Sequence, residues 1–212
     1  MIGIKQGVEW FLRGGPVMWP LLLCSMASLA LILDRFAFFH RADTDRSFAR
    51  TFCKALRRND WQEADRVAQA TKGGEAHLAV RLLDAPEEIR AQEAFIMSES
   101  KQVLDRYKEG LSYLSVIITL APLLGLLGTI TGMMASFGNL GSRWENPFAV
   151  TSGIGEALIT TVFGLAIAIV TLCCHAYFEE RVHRIALDME MIASTFSEAI
   201  VRQKKGDQSL SV

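Results

Sequence analysis

Three stretches of this chain carry no Asp, Glu, Lys or Arg, and they decide what it can fold into. The longest lies between Glu109 and Arg143 and is 33 residues long; a second runs from Glu156 to Glu179, and a third from Arg13 to Asp34. About 20 apolar residues cross a bilayer as a helix, because each residue rises roughly 1.5 Å and the hydrocarbon core is about 30 Å thick. All three stretches reach or approach that length. The expected fold class is therefore an all-α membrane protein with three transmembrane helices, at residues 16–40, 111–138 and 149–178.

The charged residues left over are unevenly shared. Thirteen Lys and Arg fall between Arg41 and Lys108 and five from Arg181 onward, against one, Arg143, between the second and third spans. Cytoplasmic segments collect Lys and Arg, so residues 41–110 and 179–212 are expected in the cytoplasm. The N-terminus and the short loop 139–148 then lie on the other side. A net charge of -1 offers no basic field for nucleic acid. Lys5 and Arg13 ahead of Pro16–Leu23 loosely imitate a signal peptide. The apolar run continues through Leu33 and resumes at Phe36–Phe39, too long for such a segment, so it is expected to be retained.

Outside the spans the pattern is helical and polar. Residues 1–15 read as a short amphipathic lead, broken from the first span by Gly14-Gly15-Pro16. Stripes at Phe48, Phe52, Ala55 and Leu56, and at Trp61, Ala64, Val67 and Ala68, predict short paired helices, with a third over Ala76–Leu83 and a new element from Pro86. Ile89, Ile96, Val103, Tyr107 and Leu111 keep helical spacing straight into the second span. Ile185, Met189, Ile192, Phe196 and Ile200 do so beyond the third. A helix of about 50 residues reaches on the order of 75 Å, so both helices are expected to project far from the membrane. Their apolar stripes need partners, and an oligomeric cage would supply them.

The chemistry lies in the last two spans. In the second, Ser112, Ser115, Thr119, Pro122, Gly125, Thr129, Gly132 and Ser136 follow one another at steps of three and four, which is one helical face. Such a face can serve close helix packing, a hydrated pore lining, or both. In the third span Glu156 is an ionisable group placed roughly 10 Å into the membrane at 1.5 Å per residue, and such groups face protein or water. Thr160 and Thr161 follow it, and Gly164 and Thr171 continue the Thr160 face. A threonine hydroxyl can order water without charge, or bond a carbonyl of its own helix. Helix phase sets Thr160, not Thr161, nearer to Glu156. No phosphate-binding loop, zinc-type cluster or nucleophile elbow occurs, so neither an enzyme nor a cofactor or metal site is expected. The four cysteines have no metal-type spacing, and with no other embedded acid or Lys the chain lacks a complete proton relay.

At these residues the sequence resembles the ExbB/TolQ/MotA proton-channel family, in its three-span ExbB/TolQ branch. The matching segments are Gly14–Leu23 followed by Asp34-Arg35, Ala121-Pro-Leu-Leu-Gly-Leu-Leu-Gly-Thr-Ile-Thr-Gly-Met133, and Gly153-Ile-Gly-Glu-Ala-Leu-Ile-Thr-Thr-Val-Phe-Gly-Leu-Ala166. The resemblance implies a homo-pentamer in the bacterial inner membrane whose second and third helices line a pore. It also implies a dimeric ExbD- or TolR-like partner with single-span helices in that pore, and a TonB- or TolA-like transducer. Proton flow past a partner carboxylate would energise an envelope process. Residue by residue, the implied pathway is Thr129, Thr161 and Glu156, with Thr160 the alternative hydroxyl. A structural scaffold without conduction, or a sodium-coupled motor of the same kind, are the competing expectations.

Overall fold

The computed structural model describes residues 11, 14–42, 47–84, 89–138 and 147–210, and only the backbone at 89–93, 138, 147–152, 156 and 204–210. Among the described residues all regular structure is helical: α1 (Met18–Ala42), α2 (Phe48–Arg57), α3 (Trp61–Ala70), α4 (Gly74–Leu83), α5 (Ile89–Lys108), α6 (Leu111–Gly138) and α7 (Pro147–Leu210). The expected N-terminal lead apart from Phe11, Gly14 and Gly15, the start at Pro86, and loop residues 139–146 lie outside the described residues. The chain divides into two units. One comprises Met1–Asp34 and Gly110–Tyr177, the other Arg35–Glu109 and Phe178–Val212.

The first unit is built on α6, the first part of α7 and most of α1. Three helical runs are long and apolar enough to cross a membrane, within Met18–Ala42, Ala94–Phe137 and Gly153–Gln203. Their large apolar side chains point outward: Leu23 and Leu33 on α1, Leu123 and Met134 on α6, and Val162 and Ile169 on α7 are all exposed. In water such a surface would be prohibitive, whereas in hydrocarbon it is what the solvent demands. The interior combines small residues with a few large ones, among them the buried Leu114 and Ile117 of α6. Met18 and Leu21 of α1 pack on Ala121 and Ala168, and the buried Ser28 hydroxyl donates to the Ser25 carbonyl at 2.9 Å.

The unbroken helix expected across residues 89–111 and on into the second span is interrupted. α5 ends at Lys108 and α6 starts at Leu111, with Gly110 at φ 79° between them. That left-handed backbone suits glycine, since a β-carbon there crowds the following carbonyl. Apolar periodicity passes over the site because Tyr107 and Leu111 are both buried, although the backbone does not continue as one helix.

The second unit is an amphipathic bundle. Phe48, Phe52, Ala55 and Leu56 of α2 are buried, as are Ala64 and Ala68 of α3 and Leu78, Ala79 and Leu82 of α4. Asn59 takes the left-handed turn after α2 at φ 60°, and the Asp60 carboxylate then caps α3 by accepting from the Glu63 N–H at 3.0 Å. The stripe Ile185, Met189, Ile192 and Phe196 is buried in this unit. Tyr107 ties segments together: its hydroxyl donates to the Ala42 carbonyl at 2.7 Å and accepts from the Gly74 N–H at 3.1 Å. Phe39 and Phe178 stack at 5.5 Å. Burial pushes the Cys53 thiol up, and its S–H points at the Met191 carbonyl at 3.7 Å, as suits an inert core thiol.

One ion pair stands apart from the solvated ones. Arg81 donates to both carboxylate oxygens of Glu99, from Nη2 at 2.9 Å and from Nε at 3.3 Å, while its guanidinium lies over the Phe95 ring at 5.5 Å. Hydrogen bonding from Arg81 holds the Glu99 carboxyl below its ordinary value of 4.5. A lowered folded-state value means that the contribution to stability is present above the ordinary value and lost as pH falls through the lowered one. The thermal stability of the detergent-solubilised chain is therefore expected to fall as pH drops below the ordinary value of 4.5, with Glu99→Gln showing a shallower acid-dependent loss than the parent.

Candidate functional site

The small residues of α6 and α7 meet in an antiparallel seam, and the seam sets where each hydroxyl can go. A β-carbon placed on Gly164 would lie 2.5 Å from the Ala121 carbonyl oxygen, one on Gly125 3.0 Å from the Thr161 Cα, and one on Gly132 2.8 Å from the Ala157 Cβ. A β-carbon on Gly128 would strike the Thr160 side chain, and one on Gly153 the Ser136 hydroxyl. Reading up α6 therefore means reading down α7. Small residues let two membrane helices approach to this distance, where dispersion and carbonyl contacts replace the missing hydrophobic drive.

The stripe of α6 does not behave as one face. Ser115 and Thr119 are exposed within the protomer, Pro122 is half-buried, Gly125 and Thr129 are buried, and Gly132 and Ser136 are half-buried. The polar positions nearest the helix start thus look away from α7, while the glycines further along enter the seam. Packing and outward display are both present, on successive parts of one stripe.

The two threonines of α7 separate clearly. Thr160 is fully enclosed against Gly128, and its hydroxyl donates to the Ala157 carbonyl at 2.6 Å. Thr161, about 100° around the helix, is half-exposed and donates across the seam to the Gly125 carbonyl at 2.9 Å. Thr129 donates to the Leu126 carbonyl at 2.7 Å. Thr129 follows Gly128, which faces Thr160, and lies about 6 Å along α6 from the Gly125–Thr161 contact, at 1.5 Å per residue. Glu156 precedes Ala157 on α7 and so falls at the level of Gly132; its side chain lies outside the described residues. Nearness in phase to Glu156 does not make Thr160 the displayed hydroxyl, because the α6-facing side of α7 runs through Ala157, Thr160, Gly164, Ala168 and Thr171.

Gly128 is absent from the stripe, which steps from Gly125 to Thr129, although it too lies three residues after Gly125 and four before Gly132. Its signal was its i+4 relation to Gly132, a small-xxx-small pair. Among the described residues no group of three or more His, Cys, Asp or Glu is placed to hold a metal.

Residues 60–191 match the model of the MotA/TolQ/ExbB proton channel family. The ExbB-like 1 protein of Synechocystis sp. is 37% identical over 177 residues, covering 78% of this chain and 67% of that protein. The ExbB-like 3 protein of the same organism is 35% identical over 171 residues, covering 76% and 79%. The biopolymer transport protein ExbB of Neisseria gonorrhoeae is 28% identical over 110 residues, covering 51% and 50%.

Proposed function

Since this chain belongs to the MotA/TolQ/ExbB proton channel family, in its ExbB-like branch, we propose that it is the channel-forming subunit of an inner-membrane motor that uses proton flow to drive an envelope process. Five copies form a ring around a dimeric single-span partner of the ExbD or TolR kind, with the N-terminus periplasmic and the C-terminus cytoplasmic. A ring is the closed solution for a head-to-tail interface. Thr129 and Thr161 line the path, Glu156 tunes its field, and a TonB- or TolA-like transducer carries the work outward.

The observation that supports this most is the presence of two hydroxyls, Thr129 and Thr161, about 6 Å apart along the axis of otherwise apolar helices. Residues 111–138 contain no charged side chain, and residues 157–178 contain none apart from His175 near their end. Polar groups at that depth are expensive unless they serve a path or a packing contact. The seam already packs through glycine and alanine, so hydroxyls are not needed for closeness. Thr161, half-exposed and bonded across the seam, is therefore assigned to conduction, Thr129 joins it by the family resemblance although it is buried within the protomer, and the enclosed Thr160 is assigned to packing.

Proteoliposomes holding the chain with its co-purified partner and a pH-sensitive dye test this reading. Acidification is expected when a potassium diffusion potential is applied, and it should persist when all sodium is replaced by choline. Flux that vanishes with sodium would make the motor sodium-coupled. A sealed vesicle with the full complex inserted would leave only the scaffold reading.

A further inference from the structure

We propose that the outer face of α2 in the second unit is a docking surface for an acidic segment of another protein, held by a stripe of exposed Arg and Lys side chains. The surface lies outside the membrane helices, so the inference is independent of whether the chain conducts protons.

Between Asp45 and Asp60 the chain carries Arg46, Arg50, Lys54, Arg57 and Arg58, and no Asp or Glu. Arg46 lies outside the described residues. The other four are all exposed, because α2 buries its opposite side through Phe48, Phe52, Ala55 and Leu56. Steps of four and three set Arg50, Lys54 and Arg57 on one face, neighbours about 5–6 Å apart at their β-carbons. Arg58, four residues after Lys54, widens the stripe.

This arrangement works against the helix that carries it. Like charges four residues apart repel. Arg50 stands in the first turn, where the helix dipole favours an acid and none is present. Lys54 and Arg57, in the last turn, are placed as the dipole prefers. Among the described residues none of the four is in an ion pair. The acids of α3 are engaged elsewhere: Asp60 caps the helix, Glu63 pairs with Arg66 at 2.6 Å, and Asp65 accepts from the Gln69 amide at 2.8 Å. Asp188 of α7 and Arg57 both act on the Cys53 thiol, so Arg57 has one acid in its surroundings. A self-repelling stripe is relieved when an anion covers it.

Which anion follows from position and length. The Cys53 S–H points at the Met191 carbonyl, 3.7 Å away. Met191 lies about 18 Å along unbroken α7 from Glu179, where the uncharged stretch of that helix ends. Lipid headgroups at that end are more than two Debye lengths away, at about 8 Å each in physiological salt. From Arg50 to Arg58 the stripe is about 12 Å long. The same unit also exposes Asp65, Glu190 and Glu198, which repel a nucleic acid or polyphosphate longer than the stripe. A short run of peptide carboxylates matches it in length and charge.

The test uses the full chain in dodecylmaltoside and a fluorescein-labelled, Ala-rich peptide of about 16 residues with Glu at successive steps of four and three. The same peptide with Gln in place of Glu is the blank, and anisotropy reads binding. Expected is binding of the Glu peptide alone, reduced by added salt. Lys54→Glu with Arg57→Glu should weaken it about tenfold, as attraction becomes repulsion. Lys54→Gln with Arg57→Gln should give a smaller loss, and Lys54→Arg with Arg57→Lys none. Arg184→Glu, an exposed reversal elsewhere in the unit, should leave binding unchanged, and circular dichroism should show every variant folded. No binding of the Glu peptide, or an equal loss in Arg184→Glu, overturns the proposal. Displacement of the labelled peptide by oligouridylate or dihexanoylphosphatidylglycerol at lower concentration than by unlabelled Glu peptide overturns it as well, in favour of nucleic acid or lipid.

Discussion

Gly164→Leu is expected to abolish accumulation of folded protein in the membrane, and Gly164→Ala to lower its unfolding temperature by several degrees. The reason is what stands opposite. A β-carbon at residue 164 would lie 2.5 Å from the carbonyl oxygen of Ala121 and 3.2 Å from the Cα of Gly125. These are backbone atoms of α6 and cannot rotate away, so the helices must separate. Separation removes the close contacts along the whole seam, including the Thr161 bond to Gly125. Overpacking by one methyl group costs about 1–3 kcal/mol, which for a chain of this size corresponds to roughly 2–4 °C per kcal/mol. Leucine adds three more carbons with no space to enter. Gly155→Ala is the control: a β-carbon there meets nothing within 4 Å in the protomer, and alanine favours the helix. Unfolding of the two alanine variants in the same detergent decides the matter, and equal stability would mean that the seam is looser than 2.5 Å implies.

Much of this architecture was legible in the residues, and the rest failed for identifiable reasons. Uncharged runs disclose spans because lipid tolerates few ionised groups, and α1, α6 and α7 contain those runs. The stripe from Ile185 to Phe196 was legible because a helix bathed in water must bury one face. In the membrane that logic inverts, and Leu or Ile periodicity no longer marks the inside. Small residues do, which is why phasing α7 from Glu156 left Thr160 open as an alternative to Thr161, while Ala157, Gly164 and Ala168 set Thr160 in the seam. The break at Gly110 was hidden for a different reason. A glycine at φ 79° and a helical glycine are the same letter, and the apolar series on either side keeps its spacing across the turn.

Thr161→Val is expected to cut proton flux by more than tenfold while leaving the fold almost unchanged, and Thr160→Val to leave both flux and fold almost unchanged. Valine matches threonine in shape and lacks only the hydroxyl. At residue 161 the lost bond joins two helices, and interhelical hydrogen bonds in membranes average about 0.6 kcal/mol, with a maximum near 1.7. The Gly125 carbonyl is not orphaned, because as part of α6 it keeps its helical N–H partner four residues on. Stability therefore drops little. A conduction path that loses a polar site surrounded by hydrocarbon loses about 1–3 kcal/mol of compensation for the moving charge, and 1.36 kcal/mol is already tenfold in rate. At residue 160 the hydroxyl is fully enclosed and bonded to its own helix at Ala157, so the same substitution exchanges one internal contact for another. Flux measured on both variants in the presence of the partner separates the two faces of α7. Loss of flux in Thr160→Val with normal flux in Thr161→Val would place the path on the side that now packs against Gly128, and the seam would have to open during turnover.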